Sequence, residues 1–521
     1  FTNDKSTEGL VQRFLIYKNL KNFEKAEEDI VNAHSSDEDN IYTLKILVDF
    51  FVDIKKFNKA INYCNKMIDA NREIKFFLAR KIGCKVHLGE WKNLNDDLKL
   101  FDATKNDELV FNPLIFKYFN DDAFVQKKIT ENYWSQKLNN KYLSQKQNNY
   151  SENKTKNKIR IGYFSGDFRD HPVFHSIQDL FVNHDKAKFE IYCYSSFKKD
   201  GPERNKIINN ADYFFDLDEK SDEQILNLIK SHSLDIAVDL SGYTSNSKSE
   251  LFEFEIAKIK INFLGYPGTM GSKKYNYILV DEIVIPQRDK KFYFEEPLYL
   301  KENCMPYSPI SLETNFDRSK FNLPKNIFVL GCLSRIEKIL PNIFDIWMKI
   351  LNKYPDVYFA LNIRDKKIQN NIKDYCEKNN FDFNFLIFLD YVESHSDFLK
   401  RISTFDLYLD TFPYNGHTIT TEVLFKACTP LISFNGKSFA SRVSMSLLSS
   451  INLDHMITRN EKEYYDKIDY FCSNRDELKK IRTHLLTYKN KNLNRMKVFT
   501  QDFESLMLRS LEDKNNFKKN H

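Results

Sequence analysis

Several short segments of this 521-residue chain carry residue types that could do chemistry. The segment DLYLDTFPYNGHTITTEVLF (406–425) reads as a strand, a glycine-containing loop and a helix opening at about Thr418. A helix start offers free backbone N–H groups and the positive end of a dipole, which together make an anion site. The hydroxyls of Thr418, Thr420 and Thr421 could bind a phosphate there or cap the helix. CLSRIEKILP (332–341) follows an apolar run and carries Lys338 on a loop. A cation in that place could stabilise charge developing on a leaving diphosphate, or be a solvated surface lysine. SGDFRDHPV (165–173) sets His171 just ahead of Pro172, a residue suited to the first turn of a helix. Such a histidine could contact substrate or move a proton, or simply brace its loop. Asp239, at the head of LSGYT (240–244), is either a contact or a structural carboxylate. LGYPGTMG (264–271) has glycines that permit a close backbone approach or a tight turn. The DLD triplet Asp216–Asp218 has a metal-binding look, but within FFDLDEKSDE it reads as a solvated turn.

These segments share a setting. From Lys158 onward, short apolar runs alternate with helical segments, as in parallel sheets. The first set is KIRIGYF, FEIYCYSSF, LDIAVDL, KINFLGY and YNYILVD; after a break around 308–326 come FVLGCLS, VYFALNI, FLIFLD, DLYLDTF and PLISF. Each set predicts a doubly wound lobe of about five strands, with a cleft between the two. Ligands of such sheets sit beyond the carboxyl ends of the strands, which is where the candidate residues fall.

Upstream, helix-period apolar residues run from Leu10 to about Leu138 and repeat on a shift of 34. Leu10, Leu44 and Leu78 align, as do Phe14, Val48 and Ile82; Phe23, Phe57 and Trp91; Ala26, Ala60 and Leu94; and Ile30, Cys64 and Leu98. A 34-residue period with an aromatic three residues before a small residue resembles the tetratricopeptide repeat, a solenoid that presents a surface to peptides. The third copy is degenerate, as a terminal unit would be. The opening on Phe1 leaves room for further repeats upstream. Residues 139–157 are polar and of low complexity, and read as a linker.

Composition narrows the class. Lys and Arg number 78 against 73 Asp and Glu, so nucleic-acid binding has no bulk electrostatic support. The eight cysteines form no Cys-x-x-Cys pair and suggest no metal site; they read as buried thiols in a reducing compartment. No apolar run approaches the ~18–20 residues of a membrane span, and no signal peptide is evident. The expectation is a cytoplasmic protein.

GDFRDHPV, SGYT, LGYPGTMG, EKILP, DTFPYNGHT and SFASRV occur in an order and spacing similar to the O-GlcNAc transferase-type proteins of glycosyltransferase family 41, from about Arg160 to Leu508. The resemblance implies an α plus α/β chain: a tetratricopeptide-like repeat domain followed by a GT-B fold of two Rossmann-like lobes. The domains would be residues 1–138 (repeats and bridging helices), 139–157 (linker), 158–310 (N-terminal lobe) and 311–521 (nucleotide-sugar-binding lobe and terminal helices).

The resemblance also implies roles. Lys338 matches the lysine that neutralises the donor diphosphate, and His417 and Thr418 match the motif that holds its phosphates. Glu422 falls at the ribose, while Glu393, Ser394 and His395 fall in the segment packing on the base, with Arg401 on the following helix. His171 matches a histidine assigned a catalytic role, and Asp239, Tyr266, Pro267 and Gly268 fall near sugar or acceptor. This sequence departs from the pattern at Ile419 (usually Thr), Phe398 (a His that stacks on the base in the animal proteins), Arg335 (often a neutral amide) and Tyr414 (a smaller Cys beside the sugar's acyl group). The implied activity is an inverting, metal-independent transfer of a sugar from a UDP-sugar, UDP-GlcNAc first among them, onto Ser or Thr of proteins, without a cofactor. The alternatives are a SPINDLY-like protein O-fucosyltransferase using GDP-fucose, and a non-catalytic repeat scaffold.

Overall fold

The computed structural model describes residues 5–104, 108–139, 157–310 and 317–519. The expected linker lies almost wholly outside the described residues. The chain packs into two compact units, Phe1–Phe111 with Lys366–Tyr375, and Asn112–Asp365 with Cys376–His521.

Among the described residues, the N-terminal stretch of the first unit is built from six helices: α1 (Thr7–Asn19), α2 (Phe23–Ser36), α3 (Ile41–Asp53), α4 (Phe57–Asp69), α5 (Ile74–Leu88) and α6 (Leu94–Ala103). Helices α1 and α3 begin 34 residues apart, as do α2 and α4, which matches the sequence period. Ser6, Asn22 and Asn40 cap α1, α2 and α3 through their side chains, satisfying N–H groups that a helix start leaves unpaired. The Leu10, Leu44 and Leu78 column is buried, and so are Phe14, Val48 and Ile82. Ala26 and Ala60 are fully buried, where a larger side chain would hold paired helices apart. The aromatic column is uneven: Phe23 is 44% exposed, whereas Trp91 is 3% exposed. Trp91 is covered by Tyr375, edge-on at 5.2 Å, and beside it Asn371 donates to the Leu88 carbonyl. The degenerate third repeat is thus completed by Lys366–Tyr375, a segment remote in sequence.

The second unit opens with α7 (Pro113–Phe116) and α8 (Ala123–Asn139). Both fall with the sheets in the second unit. The first lobe follows: β1 (Ile159–Ser165), α9 (Pro172–Asn183), β2 (Phe189–Ser195), α10 (Pro202–Asn210), β3 (Tyr213–Asp216), α11 (Asp222–His232), β4 (Leu234–Asp239), β5 (Ala257–Asn262), β6 (Tyr277–Val280) and β7 (Glu296–Tyr299). The chain of the second lobe runs through β8 (Phe328–Cys332), α12 (Pro341–Lys353), β9 (Val357–Leu361), α13 (Lys366–Lys378, which up to Tyr375 belongs to the first unit), β10 (Leu386–Phe388), α14 (His395–Ser403), β11 (Leu407–Leu409), α15 (Thr418–Thr421), β12 (Leu431–Phe434), α16 (Val443–Ser449), β13 (Ile457–Thr458), α17 (Glu461–Ser473) and α18 (Arg475–Lys491). The chain ends on α19 (Arg495–Lys519).

The sheets are parallel, with seven strands in the order β3-β2-β1-β4-β5-β6-β7 and six in the order β10-β9-β8-β11-β12-β13. Every residue of β4 and β8 is buried, as expected of strands covered on both faces. In each sheet the order reverses beside the first strand, between β1 and β4 and between β8 and β11. Loops diverge at such a switch point and open a crevice at the strands' carboxyl ends. The four loops there carry SGDFRDHPV, LSGYT, CLSRIEK and DTFPYNGHT. Helix α19 packs against α9 of the first lobe: Phe503 stacks on Tyr163, and Glu504 accepts from His184 Nδ1 at 2.8 Å. The chain therefore crosses back between lobes at its end.

Candidate functional site

A cavity of about 490 Å³ lies between the lobes of the second unit, walled by the loops after β1 and β5 on one side and those after β8, β9, β10 and β11 on the other. It is lined by His171, Arg335, Lys338, Glu393, Ser394, His395, Phe398, Arg401, Tyr414, His417, Thr418, Ile419 and Glu422, residues separated by up to 251 positions in sequence.

Lys338 ends a single 3₁₀ turn (Ile336–Lys338) whose exit is fixed by Pro341 at the start of α12. Its Nζ donates to the Asn415 carbonyl at 2.7 Å and sits 3.8 Å from the centre of the Tyr414 ring. Burial pushes this ammonium below the ordinary lysine value, with buried Asp410 pulling the other way. Asp410 is the post of the loop: its carboxylate accepts from Thr411 N–H, Gly416 N–H and Ser433 Oγ.

His417 precedes α15 at φ 54°, a conformation L residues seldom adopt, and its Nε2 donates to the Ala440 carbonyl at 2.9 Å. Desolvation and the nearby Lys338 hold the ring neutral, well below its ordinary value. A Cβ on Gly416 would fall 2.4 Å from Thr420 Oγ1 and 2.6 Å from Ile419 Cγ2, so only glycine lets the loop enter the helix this tightly. Of the three threonines considered, Thr418 alone faces the cavity. Thr420 is spent on Ser444 (2.8 Å) and Thr421 on the Thr418 carbonyl (2.7 Å). Beyond Thr421 the helix widens into a π-turn, Glu422–Lys426.

The far end of the cavity is aromatic. Ser394 caps α14 by accepting from Asp397 N–H, and one turn on Phe398 turns inward. Arg401 is 3% exposed; its Nη1 donates to the Asp390 carbonyl at 2.7 Å, and its Nε has no hydrogen-bond partner among the described residues. Burial and the neighbouring Arg364 lower its pKa to about 10. A buried donor without an acceptor is costly, and it suits a site that receives a polar planar ligand.

On the first-lobe side, His171 is the N-cap of α9, with Nδ1 accepting from Val173 N–H at 3.3 Å and lying 3.5 Å from Asp167 Oδ2. Burial lowers its pKa, Asp167 opposing, so the ring is neutral near pH 7. In that tautomer the proton sits on Nε2. Shifting the Nδ1 contact to Asp167 would move the proton there and free the Nε2 lone pair.

Four expected residues lie elsewhere. Asp239 is 2% exposed, and its oxygens accept from Ser241 N–H, Gly242 N–H, Ser249 Oγ and Tyr275 OH. These four bonds tie down LSGYT. Tyr266 is buried edge-on to Tyr243 at 4.9 Å, and Gly268 accepts from Asn262 Nδ2 at 2.8 Å. With Pro267 they form the floor of the turn, while its neighbours Leu264 and Gly265 reach the cavity. Asp216 ends β3 and pairs with Arg204, so it is more structural than a plain solvated turn. Among the described residues no His, Cys, Asp or Glu cluster could hold a metal ion. Sequence reasoning missed His175, Asn362, Arg364 and Tyr391, which also line the cavity. Only His175 left a signal: it stands four residues after His171, in the first turn of the helix that Pro172 opens.

Two parallel, doubly wound sheets facing one cavity, with a lysine and a helix start on the same wall, define a GT-B-like protein preceded in sequence by an all-helical repeat region. The chain belongs to Glycosyl transferase family 41, whose sequence profile matches residues 121–305 and 310–503. It is similar to the Arabidopsis thaliana probable UDP-N-acetylglucosamine–peptide N-acetylglucosaminyltransferase SEC, 29% identical over 340 residues covering 63% of this chain and 34% of that one. It is similar also to SPINDLY of the same plant, described by the same probable activity, 27% identical over 334 residues, 63% of this chain and 36% of that one. The chain thus spans about a third of the length of these relatives. Among solved structures it resembles a mutant O-GlcNAc transferase of Thermobaculum terrenum, with a TM-score of 0.75, 20% identity and coverage of 99% of this chain and 100% of that one. Among the described residues no helix is long and apolar enough to cross a membrane.

Proposed function

We propose that the chain is an inverting protein O-glycosyltransferase that moves a sugar from a uridine diphosphate sugar, UDP-GlcNAc in the first instance, onto serine or threonine hydroxyls of cytoplasmic proteins. The observation that carries this is the alignment of three groups around one cavity: Lys338 and the Thr418 helix start on one wall, His171 on the other, with Phe398 and Arg401 at the far end. The base stacks on Phe398 and meets Arg401. The diphosphate lies between Lys338 and the N–H of Thr418 at the start of α15, while the Ile419 N–H donates to the Gly416 carbonyl at 3.3 Å. The acceptor oxygen attacks the anomeric carbon as its bond to the phosphate oxygen breaks. The hydroxyl proton leaves to a base, and the diphosphate departs with the bonding pair, its charge met by Lys338 and the helix dipole. His171 orients the acceptor through Nε2–H, or takes its proton once the Asp167 tautomer is formed. The repeats present a surface for protein acceptors, and no cofactor takes part.

A second donor reading has its own support. Tyr414 is stacked between Tyr118 (5.5 Å) and the Lys338 ammonium, a filled wall that favours a sugar without a bulky acyl group. Fucose of a GDP donor, or a plain hexose, is therefore the alternative. One experiment tests both: thermal shift and transfer with UDP-GlcNAc, UDP-glucose and GDP-fucose, on the wild type and on Lys338→Ala. One donor should raise the melting temperature and support transfer, and Lys338→Ala should lose at least about 100-fold in turnover while staying folded. Near-normal turnover in that variant refutes the assignment, and no shift with any donor favours a repeat scaffold.

A further inference from the structure

Two histidines meet across the boundary between the lobes. His175 lies in the first turn of α9 and His395 opens α14. Their rings stack with centroids 3.9 Å apart and planes 9° from parallel. Each ring is tied to a carboxylate through the same atom: His175 Nε2 to Asp170 Oδ1 at 2.7 Å, and His395 Nε2 to Glu422 Oε1 at 2.6 Å. A carboxylate only accepts, so each ring presents an Nε2–H to its carboxylate. Lys426 closes the arrangement, with Nζ 3.4 Å from the His175 carbonyl and 4.0 Å from Glu422. Phe398 continues the stack beyond His395, at 6.3 Å and 20°. His175, His395, Phe398 and Glu422 all border the cavity. The transfer chemistry above makes no use of His175.

We propose that His175 is a positioning residue for the donor: stacked on His395 from the opposite lobe, it fixes the ring that aims Glu422 into the cavity, and it does so only while the two rings are not both charged. The inference rests on the nucleotide-sugar reading of the cavity. A lone imidazole hydrogen-bonded to Glu422 could swing about its side-chain torsions; a second ring flat against it from another lobe removes that freedom and couples it to lobe closure. Two imidazolium rings at this separation would instead repel each other.

The charged groups facing His175 are few. Asp170 comes from its own loop, His171 lies one turn before it, His395 comes from α14, and Glu422 and Lys426 come from the π-turn. On the remaining neighbours, α10 turns Lys206 to the Phe174 ring, and α19 gives Glu504 to His184 at the other end of α9. Burial and the facing His395 lower the pKa of His175, while Asp170 raises it. His175 is therefore held neutral through neutral pH and takes up its charge on the acid side.

The test is UDP binding to the full chain, followed by calorimetry from pH 5 to 8, for the wild type, His175→Ala and His175→Phe. His175→Ala should weaken UDP by about ten-fold near pH 7.5, a typical coupling for contacting residues. His175→Phe keeps a flat ring that cannot charge; it should bind UDP within a few-fold of the wild type and lose the extra acid-side weakening. The titration of UDP itself is common to all three and cancels in the comparison. If transfer is measurable, the change should fall on the donor KM rather than on kcat. Wild-type affinity and an unaltered acid limb in both variants overturn the proposal, and a His175→Phe protein that keeps the acid limb does so even where His175→Ala fails to fold. A wild type that binds no nucleoside diphosphate overturns the donor reading itself, a separate and visible failure.

Discussion

At the scale of single residues, Lys338 joins two properties that sequence could only half supply. Its position after a strand in CLSRIEKILP made it a candidate for a leaving diphosphate. What the sequence does not carry is the buried setting, with Asn415, Tyr414 and Asp410 around it, which lowers its pKa. The sign of the consequence is fixed. In the empty cavity Lys338 loses its proton at a pH below the ordinary lysine value; beside a bound diphosphate its pKa rises. Between those two values the complex holds one more proton than its separate parts. Donor binding should take up close to one proton, and affinity should fall by up to about ten-fold per pH unit as pH rises through that window. Calorimetry at pH 8 in buffers of differing protonation enthalpy measures the uptake, which Lys338→Met should abolish. Equal uptake by wild type and variant would assign the proton elsewhere. Arg401 and Asp239 show the limit of residue reading. Both are polar residues beside strands or helices of the same fold. Only burial distinguishes a guanidinium with an open donor from a carboxylate whose partners are all inside the protein.

At the scale of elements, the legible strands are those with apolar runs, most of them buried on both faces, though the edge strand β10 is legible through its LIF run. The short strands β3, β7 and β13 lie toward the sheet edges, and their mixed composition hides them; β7 contains Pro297, which an edge strand tolerates. The helix start at Thr418 was read correctly, but not its mechanism of tightness, which depends on a glycine two residues earlier. Gly416→Ala should set its new methyl against Thr420 and Ile419, displacing the first turn of α15. Overpacking of this kind costs about 1–3 kcal/mol. The melting temperature should fall accordingly, and donor affinity should fall further than stability, because the displaced turn carries the N–H of the anion site. Calorimetry and thermal melts on the same preparation separate the two effects. An unchanged donor affinity would show that α15 does not hold the phosphates.

At the scale of the molecule, the segment bearing α7 and α8 shows what a helical period leaves open. A 3.6-residue period tells that a helix has a buried face, not which core that face meets. Here the segment meets both lobes, the first through α8 and the second through the loop that precedes it. Trp134 Nε1 donates to Glu253, and Thr130 Oγ1 lies 3.4 Å from Tyr266 OH, both in the first lobe. Asp121 accepts from Lys437 N–H, Ser438 N–H and Ser441 Oγ in the second, where a Cβ on Gly436 would strike its carboxylate. Tyr118, three residues before Asp121, backs the Tyr414 wall of the cavity. A brace fixed to both lobes and to one wall of the cavity between them should report on closure. Asp121→Ala removes three hydrogen bonds to a charged acceptor, worth about 1.5–3 kcal/mol each at most and less in sum where the loop relaxes. The variant should melt several degrees lower and bind its donor more weakly, with the donor KM raised more than kcat is lowered, since every group proposed to act on the reacting bond is intact. Asp121→Asn, which keeps one acceptor oxygen, should fall between. A lower melting temperature with an unchanged donor KM would mean that the brace stabilises the second unit without setting the wall at Tyr414, and that this wall is held from within the second lobe by Lys338 and His417 alone.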